Sequence, residues 1–182
     1  MPKCHKLRLF CGLVLLCATA WLPVYAQDAP TILLIVRHAE KATDDPADPN
    51  LSEAGQKRAQ DLLAVAAAAE VGAIYTTQYK RTQQTAQPLA AKLGLALNKV
   101  EITRANSAGY AAALAKEILA QHAGKTVLIV GHSNTVPQIA EAFGVARPAE
   151  IDEAAEYDRL LIVVVPKTGK ARLIQARYGA GK

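Results

Sequence analysis

Ile32-Leu33-Leu34-Ile35-Val36, followed at once by Arg37-His38-Ala39-Glu40, is the stretch that decides the fold. A short apolar run rich in β-branched residues reads as a strand buried on both faces, the kind found in parallel sheets covered by helices. Open α/β sheets place their ligands at the carboxyl ends of such strands. A guanidinium and an imidazole leave this strand together. A second run, Thr126-Val127-Leu128-Ile129-Val130, delivers Gly131-His132-Ser133-Asn134 in the same way. Two strand ends carrying histidine, one with arginine beside it, are the ingredients of a phosphate site with a nucleophilic imidazole.

Between and beyond these runs, strand and helix patterns alternate. A strand at 31–36 gives way to a polar loop, Lys41 to Asn50, with Asp-Pro and Asn turn signals. Ser52 caps a helix reaching about Ala69, with Leu62, Leu63 and Ala66 on one face. Ala73–Thr76 reads as a second strand. Arg81 to Leu93 reads as a helix interrupted or bent at Pro88 and ended by Gly94. A third strand is expected near Leu95–Ile102, then a helix with Tyr110, Leu114 and Ile118 on its apolar face, then strand 126–130 and a helix from Asn134 through Phe143. Leu160–Val165 and Ala171–Tyr178, joined through Lys167-Thr168-Gly169-Lys170, read as a β-hairpin. The expected fold is α/β: a three-layer sandwich with a mostly parallel sheet flanked by helices and the C-terminal hairpin extending one edge.

The chain opens with Lys3, Lys6 and Arg8, an apolar stretch from Leu9 to Leu22, and Val24-Tyr25-Ala26. These are the regions of a secretory signal peptide, so residues 1–26 are read as cleaved and 27–182 as a single domain in the periplasm or outside the cell. A retained membrane anchor is the alternative. The apolar stretch is shorter than the ~18 residues a spanning helix needs, and Pro23 breaks it. No stable membrane span is expected after cleavage. Cys4, Cys11 and Cys17 all lie within residues 1–26, which leaves no cysteine for disulfides, thiolate catalysis or metal ligation. The formal net charge of +5 shrinks as well, because Lys3, Lys6 and Arg8 leave with the signal and no acidic residue does. No basic cluster with interleaved aromatics points to nucleic acid.

The exit of the second strand, Tyr75-Thr76-Thr77-Gln78-Tyr79-Lys80-Arg81-Thr82-Gln83-Gln84-Thr85-Ala86, completes a pattern. With the Arg37-His38-Ala39 junction, the late Gly131-His132 and the Leu-Ser-x-x-Gly-x-x-x-Ala run at Leu51–Ala59, it resembles the histidine phosphatase superfamily, also called phosphoglycerate-mutase-like. The resemblance implies that His38 is the nucleophile, forming a phosphohistidine, and that Arg37, Arg81 and His132 complete the phosphate pocket. Elementary chemistry supports those roles. Imidazole attacks when neutral, nearby guanidiniums lower its pKa, and they offer paired donors to phosphoryl oxygens. Glu40 either orients His38 or Lys41 or is a solvated loop carboxylate. Ser133 and Asn134 sit where a helix is expected to begin, as caps or as amide donors toward the phosphate.

Many members of that family supply a carboxylate as general acid. Ser133 follows His132, which rules out one of the usual patterns. Glu101 and Asp158 are the remaining candidates; Glu101 reads equally well as a charged residue in a short strand. The compact phosphohistidine phosphatases manage without such a carboxylate, and this chain resembles them in size. The expectation is therefore an exported, metal-independent phosphatase without cofactor, with His132 or water supplying the proton. Its partner is a phosphorylated substrate, with a cell-envelope sugar phosphate suggested by analogy. The alternative is a non-catalytic module that binds phosphoryl ligands in a retained pocket. Specificity is expected from the loops Lys41–Asn50 and Asn106–Tyr110.

Overall fold

The computed structural model describes residues 29–179; residues 1–26, read above as a signal peptide, lie outside the described residues. Among these residues six strands and four helices follow in the order β1 Thr31–Arg37, α1 Glu53–Ala66, β2 Val71–Thr76, α2 Lys80–Leu93, β3 Leu97–Lys99, α3 Tyr110–Gln121, β4 Thr126–Gly131, α4 Val136–Ala142, β5 Arg159–Val165 and β6 Arg172–Arg177. They form one sheet in the order β3-β2-β4-β1-β5-β6. The first four neighbours are parallel; β5 and β6 are the antiparallel hairpin that extends the β1 edge.

Side-chain alternation along the strands builds the two outer layers. Leu33 and Ile35 of β1, Tyr75 of β2 and Val127 and Ile129 of β4 pack with Tyr110, Leu114 and Ile118 of α3 and with Val136 and Ile139 of α4. Leu34 and Val36, Ile74, and Leu128 and Val130 point the other way, onto Leu62 and Ala66 of α1 and Ala86 and Leu89 of α2. Continuously apolar strands are thus explained by burial on both faces.

Element boundaries differ from the expectation for local reasons. The alanine-rich run stops being helical at Ala66 because Glu70 takes a left-handed backbone (φ 51°) to turn into β2. Pro88 does not interrupt α2, whose buried face of Thr82, Thr85, Ala86, Leu89 and Ala90 outweighs one missing N–H; the helix ends at Gly94 with φ 66°. The third strand is confined to Leu97–Lys99, after which Val100 N–H donates to Thr76 O and the chain departs as a loop. Helix α4 begins at Val136, not Asn134. Its N-cap is Thr135, and Pro137 occupies the first turn, where its missing N–H costs nothing.

Candidate active site

Register alone brings the two histidines together. β1 and β4 are parallel neighbours with Arg37 opposite Gly131, and His38 N–H continues the ladder to Gly131 O at 2.9 Å. The next residues out are His38 and His132. Their rings meet edge-on with centroids 5.4 Å apart. Gly131 is needed here, since a Cβ would stand 2.9 Å from Thr135 Oγ1, the atom that accepts from His132 N–H at 2.9 Å.

His38 has a fixed tautomer. Its Nδ1 lies 2.8 Å from Ala39 O, which only accepts, so Nδ1 carries the hydrogen and Nε2 keeps its lone pair. Ala39 is held in turn by donating to Thr85 Oγ1 at 2.9 Å, which places the Thr85 of α2 in the scaffold of the nucleophile. Burial pushes the His38 pKa down to about 3, with His132, Arg37 and Arg81 adding like-charge repulsion against the hydrogen bond to Ala39. Burial likewise lowers His132 to about 4, helped by Arg81, Arg37 and Lys41. Both rings are neutral near pH 7.

Proton counting also fixes His132. Thr82 Oγ1 donates to Tyr79 O at 2.9 Å and so accepts from Thr77 Oγ1 at 3.0 Å. Thr77 then has no proton left for His132 Nε2, 3.1 Å away, and must accept from it. His132 is the Nε2–H tautomer with a bare Nδ1.

Arg37 is held by groups that do not cancel its charge. Arg37 shares the parity of Leu33 and Ile35 and so reaches the side where the chain runs on from α4. There Nη1 donates to Asp152 O (3.1 Å) and Glu156 O (3.0 Å), and Nη2 to Glu153 O (2.9 Å). Five donors less three leave the Nε–H and one Nη2 hydrogen, which share an edge; the buried Nε has no partner among the described residues. The guanidinium lies 3.9 Å over the Tyr157 ring. Arg81, second residue of α2, stacks 4.2 Å over Tyr79, touches Asp48 at 3.7 Å, and has a buried Nε likewise unpartnered. Arg81 and His132 line one cleft with Tyr79 and Asn134.

The remaining candidates lie elsewhere. Glu40 neither orients an imidazole nor sits in solvent. Its carboxylate grips Arg58 of α1 at 2.8–3.0 Å, and Arg58 Nη1 also donates to Tyr178 O at 3.3 Å. Gly55 allows this approach, because a Cβ there would fall 2.2 Å from Glu40 O; that explains the glycine in the Leu51–Ala59 run. Asp158 is ion-paired with Arg177. Glu101 is exposed, with Asn106 Nδ2 donating to its backbone oxygen at 2.9 Å, and it does not line the cleft. Ser133 and Asn134 form a turn before Thr135 and cap nothing. Sequence reasoning named two loops and missed the third, residues 144–158, which supplies the turn that grips Arg37 and the ring of Tyr157. Among the described residues no three His, Cys, Asp or Glu cluster closely enough to hold a metal ion, and no helix is long and apolar enough to cross a membrane.

The model of the histidine phosphatase superfamily (branch 1) matches residues 33–105. Among solved structures, the protein histidine phosphatase SixA complexed with tungstate is similar at 16% identity and TM-score 0.62, over 80% of this chain and 96% of that one. A mycobacterial glucosyl-3-phosphoglycerate phosphatase complexed with VO3 is similar at 14% identity and TM-score 0.60, over 81% and 99%. A phosphoserine phosphatase from Entamoeba histolytica, in complex with 3-phosphoglyceric acid, is similar at 14% and 0.57, over 84% and 98%. At these identities the likeness is one of fold. A search of curated protein sequences found no match.

Proposed function

We propose that the chain is a member of the histidine phosphatase superfamily, whose model matches residues 33–105, and that it is an exported, metal-independent phosphatase working through a phosphohistidine on His38. The observation that carries the reading is the bare Nε2 of a neutral, buried imidazole beside two arginines that keep unspent donors. Positioning and charge stabilisation are most of what phosphoryl transfer asks of a protein. The Nε2 lone pair attacks phosphorus, an N–P bond forms, and the P–O bond to the leaving group breaks. Arg37 and Arg81 take the charge that spreads over the equatorial oxygens.

Neither carboxylate candidate faces the pair of histidines, so the proton for the leaving oxygen comes by another route. A phosphomonoester has its second ionisation near pH 6 and part of it arrives as the monoanion. His132 Nδ1 accepts that proton and passes it to the departing oxygen. In the second half, Nδ1 takes a proton from water as the water oxygen attacks phosphorus. The N–P bond breaks, its electrons return to Nε2, and inorganic phosphate leaves with the proton that Nδ1 took from water, which restores the bare Nδ1. The basic start and apolar stretch of residues 1–26 support export; SixA's tungstate and the mycobacterial enzyme's VO3 are oxyanions of the kind such a pocket would hold.

Steady-state assay of the purified protein on an aryl phosphate and a sugar phosphate, with and without EDTA, tests the proposal. Hydrolysis that survives EDTA and is lost in His38→Ala is expected. Phosphate binding with no turnover of either ester would identify a binding module instead. Activity that EDTA removes and a divalent ion restores would overturn the metal-independent route.

A further inference from the structure

One cation stands unmatched on the wall of the Arg81–His132 cleft. Arg104, with Thr103 and Ser107, lines it from the loop between β3 and α3. That loop is built rather than slack. Gln78 clamps Ile102 on both sides, Nε2 donating to Ile102 O at 2.8 Å and Oε1 accepting from Ile102 N at 3.1 Å. Thr103 and Asn106 bond each other reciprocally, and Ser107 Oγ donates to Arg104 O at 3.1 Å. Five arginines have carboxylate partners: Arg58 with Glu40, Arg81 with Asp48, Arg147 with Glu150, Arg159 with Glu156, Arg177 with Asp158; of the other three described, Arg37 is held by backbone carbonyls and Arg172 lies exposed on β6, away from the cleft. Arg104 has no carboxylate within ion-pair distance among the described residues, although it stands beside a site that is already cationic.

The reacting phosphoryl group is served by the free edges of Arg37 and Arg81. Arg104 lines the same cleft but is not among the charges that act on His38 and His132, and its guanidinium raises the positive potential there, which favours an anion arriving from solvent. We infer that the alcohol part of the substrate carries a second anionic group, received by Arg104 while Thr103 and Asn134 offer neutral hydrogen bonds. The inference rests on the phosphatase reading, which it makes more specific.

The test compares kcat/KM for phenyl phosphate, meta-carboxyphenyl phosphate and meta-(hydroxymethyl)phenyl phosphate in wild type, Arg104→Ala and Arg104→Glu. A charge-assisted contact at a partly exposed site predicts about a tenfold advantage for the carboxylated ester, shrinking with salt. That advantage should vanish in Arg104→Ala and invert in Arg104→Glu. Equal rates for the carboxylated and parent esters, or an equal gain from the hydroxymethyl group, would overturn the subsite. Should the wild type hydrolyse none of them, the phosphatase reading fails. The subsite is then read from calorimetric binding of benzylphosphonate and its meta-carboxy counterpart: tighter binding of the latter that depends on Arg104 upholds it, and equal affinities overturn it.

Discussion

Arg58 and Arg37 are both buried, and they are held in opposite ways. Arg58 meets the Glu40 carboxylate through Nε and Nη2, so its charge is cancelled on the spot. Arg37 meets three backbone carbonyls, which orient the guanidinium but leave its charge and one edge of donors for something else. An arginine gripped through two of its nitrogens by a carboxylate at hydrogen-bond distance, as Arg58 is, is scaffold, here fastening the chain after His38 to α1. An arginine held by neutral acceptors is poised for an anion that is not part of the protein.

Replacing Arg37 is the harshest way to break this contrast. In Arg37→Lys a point charge cannot both satisfy the carbonyls of residues 152–156 and present a donor edge. Turnover should fall by about 10²–10³, as for loss of a transition-state donor. Steady-state kinetics on the folded variant would check it, and a kcat within severalfold of wild type would place Arg37 outside the chemistry. Arg58→Ala sharpens the contrast from the other side. Removing the main partner of a nearly buried carboxylate should cost about 3 kcal/mol in a urea titration. Turnover per folded molecule should change far less than in Arg37→Lys. Stability unchanged with turnover abolished would reverse the assignment of the two arginines.

A smaller effect comes from the histidines. His38 is depressed to about 3 and His132 to about 4 from an ordinary 6.5. Between those values and 6.5 the unfolded chain binds more protons than the folded one. The stability from keeping the rings neutral is fully present above pH 6.5 and is lost as pH falls toward 4 and then 3. Thermal unfolding from pH 7.5 to 4.5 should therefore show a steeper fall in Tm for the wild type than for a His38→Gln/His132→Gln variant. Parallel slopes would mean that the rings are not held neutral by their surroundings.

How much of this was legible follows from what each feature depends on. The layers were, because the apolar runs at 32–36 and 126–130 are local facts and burial on both faces is their usual cause. The meeting of Arg37, His38 and His132 also was, since each leaves a strand end, whereas Arg81 stood out only through the family resemblance of its segment. The grip on Arg37 was not. It uses backbone carbonyls more than a hundred residues away, and any sequence presents carbonyls. The Glu40–Arg58 pair left a fainter trace. Arg58 falls at helical spacing with Gly55, Ala59 and Leu62, on the face that is buried, and a charge there calls for a partner. Ser133 and Asn134 misled because both are good caps, yet the space above Gly131 fits Thr135 Oγ1 and the helix starts after it.

The central claim is that the bare Nε2 of His38 carries the phosphoryl group during turnover. Rapid quench with phosphate-labelled aryl ester, followed by peptide mapping, measures this directly. Acid-labile, base-stable label on the peptide holding His38, formed and discharged at rates no slower than kcat, is the result expected. Turnover with no label on that peptide, or the same label on a His38→Ala protein, would contradict it.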